Sequence, residues 1–143
     1  MTNITFIEYV KTMVRGDHEA NDRFERSLDA VGWRGWPQFL AAAFFLVVEH
    51  QFSHLADPGQ IVRFVASMRA EIGEDGPEID QLLAERMIRS VLDEGVTLDL
   101  STSDQQMVGK IQTLVTYTVL ASATEAELNK LLEEASRLAS SDA

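Results

Sequence analysis

Glu49-His50-Gln51-Phe52-Ser53-His54, with Asp57 close behind, is the stretch of this chain with the most capacity for chemistry. On a helix, His50, His54 and Asp57 would offer two imidazoles and a carboxylate on one face, a donor set that suits zinc, iron or another transition metal. The order Glu-His-x-x-x-His lacks the internal glutamate of the His-Glu-x-x-His metalloprotease motif, and Asp57 is also placed to cap a following helix. The stretch therefore reads as an exposed, locally hydrogen-bonded surface. A bundle holding a metal or small ligand near His50 and His54 is the alternative.

Other chemistry is thin. Asp17-His18-Glu19 holds acid–base groups, but acids at a helix start answer to the helix dipole. No serine sits in a Gly-x-Ser-x-Gly setting, and there is no P-loop, dinucleotide-binding glycine motif or EF-hand. The chain has no cysteine, which removes disulfides, thiolate metal sites and thiol nucleophiles. No catalytic residue and no cofactor are assigned, and catalysis is the less favoured reading.

Binding is the more favoured one. Trp33-Arg34-Gly35-Trp36 places both tryptophans around an arginine in a short connection, either as an exposed anchor or as the cover of one end of the fold. Phe39 to Val48 follows without one polar side chain. At 100° per residue, Phe45, Val48, Phe52 and Leu55 share one side, taken as the core face. Phe39, Ala43 and Leu46 share the opposite side with His50, Ser53, His54 and Asp57. That second side changes from apolar to polar along its length, and its apolar half needs a cover. Other helices of the chain would supply it, or a second copy would, in a symmetric dimer. The small side chains of Ala41, Ala42 and Ala43 would let a helix approach closely. The candidate interaction residues are thus Trp33, Arg34, Trp36, Phe39, Ala43 and Leu46, and the expected partner is another protein or the chain itself.

Charge narrows the partners. The formal net charge is −11, with nine acids against Arg86 and Arg89 over residues 71–99. Phosphate would repel such a surface, so no nucleic-acid partner is expected, and an anionic membrane is disfavoured likewise. Glu85 and Arg89, four apart, suit a solvated acidic helix face. The apolar run is too short to span a bilayer, and the first residues lack a signal peptide's basic and apolar regions. A cytoplasmic location follows as the expectation.

The elements that must position these residues are helical nearly throughout. Thr5-x-x-Glu8 suits a capping box for a first helix on Ile7, Val10, Met13 and Val14, closed near Gly16. Asp17 opens a second on Ala20, Phe24, Leu28 and Val31, which ends at Gly32. Pro37 suits the first position of the third, central helix, over about residues 37–55. Asp57-Pro58-Gly59-Gln60 starts a fourth on Ile61, Val65, Met68 and Ile72. Glu74-Asp75-Gly76-Pro77 is a loop, before a fifth helix over about 77–94 on Ile79, Leu82, Leu83, Met87 and Val91. Val96 to Leu100 alternates but has no partner strand, so it reads as a connector. Ser101 to Ser103 caps a sixth helix, and Thr124-x-x-Glu127 a seventh on Leu128, Leu131, Leu132, Ala135 and Leu138. The expectation is a single all-α domain over residues 1–139: a compact, bundle-like fold of about seven helices around a buried central one, with a frayed tail at 140–143.

Overall fold

Caps set the frame of the computed structural model, which describes residues 2–52, 57–73, 78–93 and 105–141. Among them run seven helices and no strand: α1 Thr2–Arg15, α2 His18–Val31, α3 Trp36–Gln51, α4 Pro58–Ile72, α5 Gln81–Leu92, α6 Gln105–Ala121 and α7 Glu125–Ser141. Asp17 caps α2 by accepting from the Ala20 amide at 3.2 Å. At α4 the Asp57 carboxylate accepts from Gly59 N at 3.0 Å, and Gln60 Oε1 accepts from Asp57 N at 3.1 Å. At α7, Thr124 N donates to Glu127 Oε1 (2.9 Å) and Glu127 N to Thr124 Oγ1 (3.2 Å). Each cap satisfies backbone N–H groups that a helix start leaves without partners. Hydrogen bonding to the Glu127 carboxylate, first from the Thr124 amide and then from its side chain, also lowers the Glu127 pKa, with a smaller contribution from His50.

Several boundaries depart from the sequence expectation. α1 begins at Thr2, so Thr5 lies inside the helix rather than at its cap. Packing decides this: Phe6 is fully buried against Trp36 and Phe39, and the turn ahead of it continues the same helix. α5 begins at Gln81 because the Asp80 carboxylate accepts from Leu83 N at 3.0 Å. Its buried face is then Ala84, Met87, Ile88 and Leu92, and Leu82 is left 59% exposed. Val31, at the end of α2, is exposed as well. α7 runs through Ser140 and Ser141, two residues of the expected tail. The 74–77 loop, the 96–100 connector and the 101–103 cap lie outside the described residues.

α3 is the hub. It packs against α1, α5, α6 and α7, while α2 pairs with α1 and α4 pairs with α5. Six α3 residues are buried: Phe39, Leu40, Ala43, Phe44, Val47 and Val48. All of these but Leu40 join Ile111, Val115 and Val119 of α6 and Leu128, Leu132 and Ala135 of α7 in one continuous core. The outer pairs carry polar ties. Asn21 Nδ2 donates to Tyr9 O (3.0 Å) and Thr12 Oγ1 (3.1 Å) between α2 and α1. Between α4 and α5, Arg69 Nη1 donates to Gln81 Oε1 (3.1 Å) and Gln81 Nε2 to Val62 O (3.3 Å), and within α5 Gln81 Nε2 also donates to the buried Glu85 carboxylate (2.5 Å).

Among the described residues one core group is unsatisfied. Thr116 is 1% exposed and its Oγ1 has no hydrogen-bond partner, whereas Thr113 and Thr118 on the same helix donate to the carbonyls of Gly109 and Leu114. A buried hydroxyl without a partner costs about 1–3 kcal/mol. Thr116→Val, which keeps the shape and removes the hydroxyl, should therefore raise the unfolding free energy by about 1 kcal/mol in urea titration; a loss of stability would contradict this account of α6.

Candidate interaction surface

Five rings close one end of the molecule. Phe6 meets Trp36 at 5.3 Å between centroids, Tyr9 meets Trp33 at 5.2 Å and Trp36 at 5.6 Å, and the two indoles lie 5.5 Å apart edge to face. Phe39 completes the group, stacked on Trp36 at 6.0 Å. Edge-to-face pairs set the electropositive rim of one ring on the electronegative face of another. The backbone bends hard to build this cluster. Gly32 (φ 89°) and Gly35 (φ 88°) take left-handed conformations, and so does Trp33 at φ 56°. For a bulky L residue that geometry costs about 1–2 kcal/mol. Trp33 is held there by its amide, which donates to Leu28 O (3.1 Å), and by its indole Nε1–H, which donates to Asp29 Oδ1 (2.6 Å).

The two tryptophans are therefore half-buried parts of the end cover, while Arg34 between them is exposed. Tyr9 sits among them with its pKa raised above the ordinary 10.0, first by burial and then by the charges of Glu25 and Asp29. A phenol with a raised folded pKa contributes stability that is complete below pH about 10 and is lost as pH rises through the folded value.

Of the expected core face of α3, Val48 and Phe52 are buried and Leu55 lies outside the described residues, but Phe45 departs from it. Phe39 is fully buried and Ala43 is 2% exposed, with Leu46 half-buried against the core, so the opposite face is covered by the chain itself. Phe45, expected in the core, is 40% exposed. A helix apolar on every side gives no phase from periodicity alone. A usable signal was present at its ends: Gln38 and Glu49, the polar residues that bound the run, share one stripe with Ala41 and Phe45, and all four are exposed. Beside this stripe, Gln38, Ala41, Ala42, Phe45 and Leu138 of α7 line a shallow, mostly apolar groove of about 400 Å³.

The histidine face is organised by ordinary polar contacts. His50 Nε2 lies 3.5 Å from Glu127 Oε2, linking the end of α3 to the start of α7. The Asp57 carboxylate is engaged at the α4 cap, and His54 lies outside the described residues. Among the described residues no three His, Cys, Asp or Glu side chains form a group able to hold a metal. Of the other acid–base candidates, Asp17 caps α2, and His18 and Glu19 are exposed. No helix of the described residues is long and apolar enough to cross a membrane.

No family model matches the chain, and no curated protein or solved structure is detectably similar to it.

Two outcomes follow from this geometry. Ala43→Glu puts a carboxylate into a packed, dry site, and should lower thermal stability and helical circular dichroism rather than merely change association. A folded variant of unchanged stability would contradict the buried placement of this face. The urea midpoint should fall above pH about 10, and Tyr9→Phe should remove part of that fall; equal alkaline losses in both proteins would disprove the role of the phenol.

Proposed function

We propose that this protein works by binding protein, specifically a second copy of itself, and not by catalysis, with the outer face of α3 as the contact. The observation that carries the reading is Phe45, a large ring 40% exposed beside an apolar groove of about 400 Å³ lined by its own helix and α7. Single exposed apolar residues are ordinary on protein surfaces. This one stands on a segment, Gly35 to Val48, that has no charged residue at all in a chain of net charge −11. Two such chains repel over most of their surfaces. Contact along the uncharged side of α3 buries an aromatic anchor without setting acid against acid. Aromatic rings seated in pockets typically dominate such interfaces.

Sedimentation across a concentration series tests the reading. The wild-type mass should rise towards that of a dimer, while Phe45→Glu, at a position outside the core, should remain monomeric with unchanged helix content. A wild type of monomer mass throughout the series would overturn it.

A further inference from the structure

The residues of the stripe that carries Phe45 are spaced symmetrically about Ala41 and Ala42, with opposite charges at the two ends. Gln38, Ala41, Phe45 and Glu49 fall within about 80° of one another on α3, and Arg34 lies in the turn just ahead; all five are exposed. We propose, resting on the self-association above, that two copies pair through α3 as an antiparallel, two-fold dimer whose axis passes between Ala41 and Ala42. In that register Phe45 lies over Gln38 of the other copy, Ala41 faces Ala42, and Glu49 meets Arg34.

Three features of the chain support this register. Two-fold contacts are self-complementary, so each pair occurs twice, and here every pair is either apolar, neutral or opposite in charge. A parallel arrangement would set Arg34 beside Arg34 and Glu49 beside Glu49, which repel. The alanines at the axis let the two backbones come close, and each Phe45 enters the groove that Gln38, Ala41, Ala42 and Leu138 leave on the other copy. Finally, α3 begins at Gly35 without a side-chain cap, so its positive dipole end adds to Arg34 as a partner for the carboxylate. Glu49 lies seven to eight residues from the axis, about 11 Å at 1.5 Å per residue, and Arg34 lies as many residues away on the other side. A carboxylate accepts from several donors, so the pairing does not depend on the contacts of Glu49 within its own chain.

Charge reversal tests the register. Arg34→Glu and Glu49→Arg each create two like-charge pairs and should each weaken dimerisation by about tenfold or more in sedimentation equilibrium. The double variant should return to near the wild-type affinity, and an equimolar mixture of the two single variants should form a heterodimer. Net charge alone predicts otherwise: Glu49→Arg makes each copy less negative and would strengthen association, while Arg34→Glu would weaken it. Reversals that follow this net-charge order, or a double variant no better than the singles, would overturn the register and leave self-association through Phe45 standing. A wild type that never departs from monomer mass would overturn both.

Discussion

Everything else in this fold follows from the need to keep α3 out of water. From Phe39 to Val48 it has no polar side chain, and its backbone groups are satisfied only while it is helical. Fully burying an aliphatic or aromatic side chain is worth about 1.5–3 kcal/mol, and six α3 residues are buried. That requirement draws α6 and α7 onto its long sides, with α1 and α5 completing the cover. α2 and α4 are then fastened from outside, α2 through its Asn21 to Tyr9 and Thr12 of α1, and α4 through Arg69 and the Val62 carbonyl to Gln81 of α5. The polar ties lie where the apolar drive is weakest, since α2 buries only Ala20 and Leu28.

What could be read from the sequence was mostly local. The caps at Asp17, Asp57 with Gln60, and Thr124 with Glu127 each join a side chain to backbone two or three residues away, and short-range chemistry carries its own spacing. The all-α class and the central place of the apolar helix were legible for the same kind of reason, namely the 3–4 spacing of apolar residues on every other segment. The phase of α3 was legible only in part: Val48 and Phe52 are buried as expected, whereas Phe45 is not. With both sides apolar, only the neighbours decide which is buried, and those are set by contacts far apart in sequence, such as Phe6 with Phe39. The start of α5 was lost among several acids able to cap, of which Asp80 is the one used. The left-handed Trp33 is likewise a tertiary outcome, because ring contacts with Tyr9 and Trp36 offset a backbone conformation that local preference disfavours.

The same constraints shape the candidate surface. Because Gly32, Trp33 and Gly35 turn the chain so that both indoles face inward, Arg34 between them faces water. At the other end of α3, His50 beside Glu127 ties the helix to α7, and Glu49 next to it is exposed. Glu49 is thus held on the helix itself, and Arg34 in the tight turn ahead of it that the ring cluster fixes. A contact that uses residues already fixed in place loses less conformational freedom on forming. In the proposed dimer, a modest surface of one ring, two alanines and two end charges would then discriminate between orientations.

Net charge acts on this surface in a second way. At physiological ionic strength the screening length is about 8 Å, shorter than the span of a helix as long as α3. Repulsion between the acidic flanks of two copies is therefore largely damped, while groups at contact distance with little water between them keep more of their interaction. In the proposed pairing, the acids spread over α2 and α7 would limit unselective association, and the neutral stripe with its two end charges would favour one approach. Salt should accordingly favour close pairing up to the point where the Arg34 and Glu49 charges are themselves screened, so association through this face is expected to pass through a maximum in salt instead of falling steadily, as a purely charge-driven contact would.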